Sequence, residues 1–321
     1  MQMKKPLEAN DAGENDAGHG RCSARFLVAR AVVAMAAVLF PAVADGAPAT
    51  FVTALPVSAN QILSRFNWEP AFSSSNLTSV QFPFDLGYGI TARWTILATF
   101  HQGYASMSAS SPTGAAEQFH SAGMGDTLAF LRYTLIKHDK MHSTLRVTPL
   151  AGVVIPSGNN QLRGPGGLLP QPLQTGGGSW SPYAGMAMGA FHYGNGYSGD
   201  ITYRYNPVTR LGITPGNLVR ADWQEQWRFY PLRLKDGFPH FALLSLEENY
   251  LHNGQSHNSD QPTAQSAGFI YTQDIVPEFQ SMNYLIGFGM RVPVVQDYAS
   301  PLAVRQRLGM VMLFEYNFSR R

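Results

Sequence analysis

Charged side chains recur at every second position in several extended segments, and these residues are the best placed to do chemistry. Asp200 and Arg204, for example, alternate with Ile201, Tyr203 and Tyr205. Successive side chains of a β-strand point to opposite faces, so such charges share one face. That face could line a water-filled passage and set its selectivity, or it could only solvate and rigidify an interior. The candidate pore-lining residues are Arg93, Asp126, Arg132, Arg146, Asp200, Arg204, Arg220, Asp222, Arg228, Glu247, Arg291 and Glu315.

Metal and cofactor chemistry has weaker support in the sequence. His252, His257 and Asp260 lie close together in a segment predicted to be a loop, where histidines without fixed geometry are normally solvated. The only cysteine, Cys22, lies in a segment predicted to be removed, so the remaining chain has no disulfide and no thiolate ligand. No phosphate-binding glycine motif occurs. We therefore predict neither a metal nor a cofactor.

Hydrolytic chemistry would need a serine and a histidine held within hydrogen-bonding distance. The serines cluster in Ser106 to Ser111, and no Gly-x-Ser-x-Gly elbow is present. His101 or His120 could pair with one of these serines, but nothing in the sequence selects a pair. We predict that the chain is not an enzyme, and an outer-membrane hydrolase remains the weakest alternative.

The composition indicates what kind of surface carries these residues. Charged residues make up 14% of the chain, where a soluble domain usually has about 25%, while aromatic residues reach 12% and glycine occurs 31 times. Few charges with many aromatic residues and glycines are typical of a protein whose outer surface faces lipid. A net charge of +2 is too small to predict binding to nucleic acid.

The region after Ala49 divides into extended segments separated by turn residues, with no apolar run long enough for a transmembrane helix. Several segments alternate between an apolar and a polar face, as in Val219, Ala221 and Trp223 against Arg220 and Asp222. The predicted strands are Asn60 to Glu69, Leu77 to Leu86, Tyr88 to Gln102, Gly123 to Ile136, His142 to Ile155, Ser181 to Tyr193, Tyr197 to Asn206, Leu218 to Tyr230, His240 to His252, Thr263 to Ile275, Ser281 to Val294 and Arg305 to Phe318.

The connections between these segments alternate in length, which distinguishes a barrel from a soluble sandwich. The predicted short connections are Gly87, Lys137 to Met141, Gly194 to Gly196, Pro231 to Pro239 and Val276 to Gln280. Longer ones, such as Gly103 to Ala122, lie between them. Transmembrane barrels with both termini in the periplasm show this rhythm. We predict an all-β fold: one antiparallel up-and-down transmembrane β-barrel of about twelve strands, with ten to fourteen possible.

The N-terminus has the features of a bacterial signal peptide. Arg21, Arg25 and Arg30 precede the apolar run Ala31 to Phe40, which is too short to span a membrane. Ala42 to Ala44 and Ala47 to Ala49 both fit the small-residue pattern of a cleavage site, and we favour cleavage after Ala44. We predict that residues 1–44 are removed and that residues 45–321 form the barrel.

Three features of this scheme need a structure to interpret. Glu225 falls on the predicted lipid face, where a charge is costly, so it lies near an interface or the predicted register is shifted by one residue. Pro149 lacks an amide hydrogen and suggests a bulge in its strand. The loop Gly158 to Gly178, rich in glycine and proline, could fold inward as a constriction or outward as a binding surface.

Four motifs, in order, resemble a known bacterial family. They are Gly123 to Tyr133, with its Gly-x-Gly-Asp start, Val153 to Gly158, Ser179 to Gly185 and Arg291 to Gln296. They are similar to sequence motifs of the outer-membrane transporter family named for the meta-pathway of phenol degradation. The resemblance covers the chain from about Phe82 to the C-terminus. It implies a barrel distantly like the long-chain fatty-acid and aromatic-hydrocarbon channels, and it brings no catalytic residues.

The last predicted strand also resembles the signal read by the barrel-assembly machinery, because Phe314, Tyr316 and Phe318 are aromatic. Three further residues, Ser319 to Arg321, follow the last aromatic. We predict a porin-like channel in the outer membrane of a Gram-negative bacterium, for passive uptake of small hydrophobic or aromatic compounds. Its partners would be lipid, these solutes and, during biogenesis, the assembly machinery. The alternative is a structural or adhesive barrel whose external loops bind a partner.

Overall fold

A computed structural model describes residues 54–73, 77–110, 116–140, 142–164, 167–169, 173–192, 194–231, 240–258, 261–262, 267–281, 283–298 and 305–318. The predicted signal peptide and Asp260 lie outside these residues. Within them, no helix is long and apolar enough to cross a membrane.

Twelve antiparallel strands form the wall of a closed barrel, as the alternating sequence pattern predicts. Two strands are interrupted, β2 at Phe82 and Pro83, and β4 at Thr134 and Leu135. The strands are β1 (Ile62–Ser73), β2 (Thr78–Gln81 and Phe84–Gly89), β3 (Trp94–Ser110), β4 (Ala116–Tyr133 and Ile136–Lys140), β5 (Ser143–Ile155), β6 (Ser181–His192), β7 (Asn195–Arg204), β8 (Leu218–Tyr230), β9 (Phe241–Asn253), β10 (Gly268–Gln280), β11 (Tyr284–Tyr298) and β12 (Gln306–Phe318).

Each strand pairs with its neighbours in the chain, and β12 pairs with β1 to close the barrel. At this seam Arg65 lies opposite Glu315, and Phe66 lies opposite Phe314. Closure leaves no unpaired edge in the wall, which is the condition for a β-structure to span a bilayer.

The distribution of side chains is the reverse of that in a soluble protein. The inner face buries polar groups: Thr148, Ser245, Glu247 and Asp274 are all fully buried. The outer face exposes large side chains such as Trp94, Tyr203 and Met312, which are therefore not packed between two sheets. This is the architecture of outer-membrane barrels. The outward residues include Phe66, Leu86, Ile96, Leu131, Met186, Met188, Ile201, Phe229, Ile275, Phe288, Met290, Met312 and Phe314.

Short turns and both ends of the described chain lie at one end of the barrel, here called the turn end. The other end, the loop end, carries the long connections, of which residues 156–180 form the longest. The predicted rhythm of short and long connections is therefore confirmed at this level. Barrels of this type place the turn end in the periplasm.

Three predicted connections are wrong in detail. Gly87 lies inside β2, where an added Cβ would approach the Val57 side chain to 3.3 Å, so glycine permits close packing there rather than a turn. Most of the predicted loop Gly103 to Ala122 is a paired extension of β3 and β4, with Ser106 opposite His120. Strands that project beyond the lipid need no apolar face, so this extension has no alternating pattern to predict it. Val276 to Gln280 completes β10.

Pro149 does not produce a bulge in its own strand. The pairing of β5 with β6 continues through Pro149 and Met186 without a register shift. The irregularity lies instead in β4, which is interrupted at Thr134 and Leu135, opposite this part of β5. Proline has no amide hydrogen to donate to β4, and the ladder is broken on that side.

The long loop after β5 folds inward. Leu169 and Leu173 are buried and pack with Leu77 and with Ala105 of β3, inside the loop end of the barrel. Of the two alternatives that the sequence left open for this loop, the constriction is the one the structure shows.

A segment before β1 closes in on the lumen from the other end. Ala54 is fully buried, and its carbonyl oxygen accepts a hydrogen bond of 3.0 Å from the Thr148 hydroxyl. Val57 is also buried and lies against Leu97 and Gly87 on the inner wall. The segment Ala54 to Ser58 therefore narrows the turn end of the barrel.

Candidate functional site

Two adjoining cavities occupy the barrel interior. The larger, of about 730 Å³, is lined by Val57 of the inserted segment and by charged residues such as Arg65 and Arg132. The smaller, of about 390 Å³, lies toward the loop end and includes Asp126 and Thr175 in its lining. Tyr183, Thr202 and Arg220 border both cavities, so the two cavities adjoin, and together they are called the passage below.

One side of this passage is apolar. Leu97, Phe130 and Leu150, which lie on the inner faces of β3, β4 and β5, form a buried cluster against which Leu128 and Tyr183 pack. The rings of Phe130 and Tyr183 lie 6.0 Å apart, centroid to centroid, in a tilted arrangement. We call these five residues the apolar wall. All except Leu150 border the larger cavity.

The opposite side, from β7 round to β1, carries charges in mutually neutralising groups. Asp200 of β7 lies directly opposite Asp222 of β8, and both are buried. Arg220 donates a hydrogen bond to the Asp222 carboxylate, and its guanidinium lies 3.5 Å from Asn249 Oδ1. A cation two residues along the same face therefore holds together two carboxylates that would otherwise repel each other.

A second group joins three strands. Arg291 of β11 lies opposite Asp274 of β10, and its Nη2 is 2.9 Å from Asp274 Oδ2. Its Nη1 is 3.6 Å from Glu69 Oε2 of β1. Asp274 is fully buried, so it requires this cation as its partner.

A third ion pair spans the seam between β12 and β1. Arg65 Nη2 lies 2.8 Å from Glu315 Oε2, and Nε donates to the same oxygen at 3.1 Å. Asn317 Nδ2 donates to the other carboxylate oxygen at 3.2 Å. Both charged residues border the larger cavity although they are largely buried.

A hydrogen-bonded cluster fills the interior between these groups and the turn end. The Ser245 hydroxyl donates to Glu278 at 2.7 Å, and Gln226 Nε2 donates to the other oxygen of Glu278 at 3.0 Å. Gln224 Nε2 reaches Ser245 at 3.0 Å and Glu247 at 3.4 Å. These side chains are buried and border neither cavity, so they fill space rather than line the passage.

Most of the predicted pore-lining residues point inward, but not all of them border a cavity. Arg146, Arg228 and Glu247 lie on inner faces outside both cavities: Arg146 pairs with Asp139 at 2.8 Å, and Arg228 lies over the Phe241 ring at 5.6 Å. The eight that border a cavity are Asp126, Arg132, Asp200, Arg204, Arg220, Asp222, Arg291 and Glu315.

Arg93 is a wrong prediction. It lies in the exposed turn between β2 and β3, where its Nη1 donates to the Tyr133 hydroxyl at 3.3 Å. The reason is the strand boundary, because β3 begins at Trp94 and not at Tyr88. Residues of the predicted strand that precede Trp94 belong to the preceding strand or to the turn.

Charges that share a face do not thereby form pairs. Asp126 and Arg132 are six residues apart on one strand, which separates them by about 20 Å. Asp200 and Arg204 are four residues apart, which separates them by about 13 Å. Asp126 instead binds the loop: its carboxylate accepts the Gly158 amide at 3.1 Å and the Gly177 amide at 2.7 Å. The carboxylate thus holds both ends of the inward loop against β4.

Several charged residues on the inner face were not among the predicted pore-lining residues. Arg65 and Glu69 alternate with Phe66 and Trp68 in β1, a signal that was present in the sequence. Glu278 was missed because its strand was predicted to end at Ile275. The others are Asp85 and Asp274.

The candidate metal residues are not brought together. One candidate hydrolase pair, Ser106 and His120, lies at directly opposite positions of β3 and β4, but these described side chains form no hydrogen bond with each other. His252 lies in β9, whereas His257 lies in a small sheet formed by Ile213–Thr214, His257–Asn258 and Gln261–Pro262. Over the part of the chain that the structure describes, no three His, Cys, Asp or Glu residues form a metal-binding group. His101 Nδ1 bonds the Asp126 carbonyl oxygen at 2.9 Å rather than a serine.

Glu225 lies on the outer face, as predicted. Its neighbours Gln224 and Gln226 are buried inside, and the alternation points Glu225 outward near the middle of β8. The Trp223 indole donates a hydrogen bond to its carboxylate, and Glu248 of β9 is a further negative charge near it. The register is therefore not shifted, and the chain carries carboxylates where hydrocarbon is expected.

Comparisons with known proteins give likeness of fold. No family model and no curated protein matches the chain. Among solved structures, the COG4313 outer membrane channel from Pseudomonas putida F1 superposes with a TM-score of 0.56 at 13% identity, over 85% of this chain and 100% of that one. The β domain of the Bordetella autotransporter BrkA gives 0.40 at 10% identity, over 81% and 100%. The monoaromatic hydrocarbon channel CymD gives 0.36 at 10% identity, over 82% and 89%. The chain therefore has the fold of outer-membrane channels.

Proposed function

We propose that this chain is an outer-membrane channel for passive passage of small hydrophobic or aromatic compounds. The observation that carries the proposal is the two-sided interior, in which an apolar wall faces charged groups that are largely neutralised by one another. An apolar solute with one polar group can contact hydrocarbon on one side and hydrogen-bond on the other. The fold shared with the COG4313 channel supports the same conclusion.

We also propose membership of the phenol meta-pathway family. The Gly-x-Gly-Asp motif supports it structurally, because Asp126 of that motif holds the inward loop through Gly158 and Gly177. The proposal assigns no catalytic role to any residue. The aromatic residues that end β12 lie at the turn end, with the Tyr316 and Phe318 rings 4.5 Å apart, which suits recognition by the assembly machinery.

The inserted segment Ala54 to Ser58 and the inward loop leave a narrow passage rather than a wide aqueous pore. We expect small unitary conductance in planar bilayers and partial block of the current by phenol, with no block by a sugar of similar size. Replacing Phe130 with Ala removes an aromatic ring from the apolar wall and is expected to weaken the block by about tenfold, since burial of an aromatic ring contributes about 1.5–3 kcal/mol.

Leu131 provides the matched control, because it is adjacent to Phe130 in the chain but lies on the outer face. Leu131→Ala is expected to leave both conductance and block unchanged. A barrel that inserts but never conducts would overturn the proposal and favour the structural or adhesive alternative. A conducting barrel in which both variants are blocked equally would overturn the role of the apolar wall.

A further inference from the structure

One cation that borders the smaller cavity, Arg204, forms no salt bridge with the other residues that the structure describes. Arg204 is the last residue of β7 at the loop end, and it lies opposite Tyr183 of β6 on the inner face. Its buried Nε has no hydrogen-bond partner among the described residues. No carboxylate in this part of the chain lies within 4.0 Å of its guanidinium, whereas Arg65, Arg220 and Arg291 all have such a partner.

Asp126 is the carboxylate that acts on Arg204 most strongly, but it is already bound. Its two oxygens accept hydrogen bonds from the Gly158 and Gly177 amides, at 3.1 and 2.7 Å. The Asp126 carboxylate therefore offsets part of the positive charge of Arg204 from a distance. The N–H groups of the planar guanidinium remain available to bind a ligand. A guanidinium in a partly buried site favours a planar carboxylate, which it can bind through two parallel hydrogen bonds.

The rest of the cavity suits a ring. Leu128 and Tyr183 of the apolar wall border it, and Leu251 lies on the facing side. The cavity volume of about 390 Å³ is within the range of small-ligand sites. Gln174 and Thr175 of the inward loop also border it, so the loop that Asp126 holds forms part of the site.

We propose that Arg204 is the anion-binding residue of a subsite for single-ring aromatic carboxylates at the loop end of the passage. The inference rests on the proposed channel function and narrows its substrate class to aromatic acids. One available cation near Asp126 matches a monoanion. A phosphate dianion would meet repulsion from Asp126, and Arg220, the other arginine that borders this cavity, is already paired with Asp222. The ring lies against Tyr183 and Leu128 while the carboxylate faces Arg204.

The test measures binding of benzoate to the full-length protein in detergent by calorimetry, with benzyl alcohol as the neutral analogue. Arg204→Gln is expected to weaken benzoate binding at least tenfold, because a hydrogen bond to a charged group contributes about that factor or more. It should leave benzyl alcohol binding unchanged. Arg204→Lys keeps the positive charge but loses the planar guanidinium, so its benzoate affinity is expected to lie between those of the native protein and Arg204→Gln.

Arg210→Gln is the matched control, since it removes the same charge from an exposed position in the next loop. Equal benzoate affinity in the native protein and Arg204→Gln would overturn the proposal, as would the same loss in Arg210→Gln or no benzoate binding at all. Heat-modifiable gel mobility verifies that each variant is folded. If Arg204→Gln does not fold, Arg204→Lys provides the test in its place. Bilayer conductance is measured in parallel. A barrel that conducts but whose benzoate affinity does not depend on Arg204 would contradict only the proposed subsite. A barrel that does not conduct would contradict the proposed channel function.

Discussion

The ion pair at the seam gives the sharpest stability prediction. Arg65 and Glu315 connect the first and last strands, and they are only 7% and 6% exposed. Replacing Arg65 with Met leaves the Glu315 carboxylate on the inner wall without its cation. Burial of an unpaired charge costs far more than loss of an exposed pair.

The structure sets the expected size of this effect. Removing one partner of a buried pair costs about 3–5 kcal/mol. Asn317 still donates to Glu315, and both residues border the larger cavity, where water can solvate the carboxylate. We therefore expect Arg65→Met to lower the free energy of unfolding by about 3 kcal/mol, at the lower end of that range. Glu315→Gln keeps an oxygen acceptor for Arg65 and is expected to cost about 1–2 kcal/mol.

The double variant separates pairing from simple loss of side chains. With both charges gone, neither member of this pair is left buried without the other, so Arg65→Met with Glu315→Gln should be more stable than Arg65→Met alone, and the coupling energy should be about 2 kcal/mol. Urea unfolding in lipid vesicles, followed by tryptophan fluorescence and heat-modifiable mobility, measures each free energy. Ser64→Ala, on the outer face of the same strand, is the control and should change little.

Additive effects of the two single changes would refute this reasoning. They would mean that lumen water solvates each charge fully and that the seam is held by its backbone ladder and outer face alone. A coupling of the expected size would show that the pair contributes to barrel closure.

Two further predictions address the loop and the outer face. Asp126→Asn is expected to weaken the hydrogen bonds to the Gly158 and Gly177 amides by about 1–3 kcal/mol. Added protease should then cleave the loop faster, and single-channel currents should be noisier. The exposed Asp139→Asn is the control, and identical cleavage of the native protein and Asp126→Asn would contradict the prediction. Glu225→Leu removes a charge from the lipid face and should stabilise the barrel in vesicles by about 1–2 kcal/mol in urea unfolding; a loss of stability would show that the outward carboxylate has a stabilising role.

The alternation of apolar and polar residues predicts the wall of the barrel well. The segment Leu218 to Tyr230 is a strand with the same bounds in the structure, and twelve strands close as predicted. The pattern works here because hydrocarbon on one side and a wet interior on the other impose a strict period of two. It also placed Glu225 on the correct face, where its chemistry alone suggested an error.

Prediction from the sequence was wrong or incomplete where the period of two is lost or where long-range contacts decide the structure. The ends of β3 and β4, such as Ser106 to Ser110, project beyond the lipid, so neither face must be apolar and the period is lost. The segment Ala54 to Ser58 is placed by its contacts with Thr148 and Leu97, which lie far away in the chain. Cross-strand partners such as Arg65 and Glu315 depend on register, which a single sequence does not specify.

The arrangement of the charges changes what a mixed-sign interior implies. From the sequence, the candidate pore-lining residues carry both signs, and they could either set the selectivity of a passage or only solvate and rigidify an interior. In the structure, Arg220, Arg291 and Arg65 each pair with a carboxylate of their own or an adjacent strand, so their fields largely cancel before they reach the passage. Selectivity must then come from the groups that are not cancelled. Arg204 is such a group, and it borders the smaller cavity together with Leu128 and Tyr183 of the apolar wall. A solute that carries both a ring and a negative charge is therefore the one this interior distinguishes most strongly from water and salt.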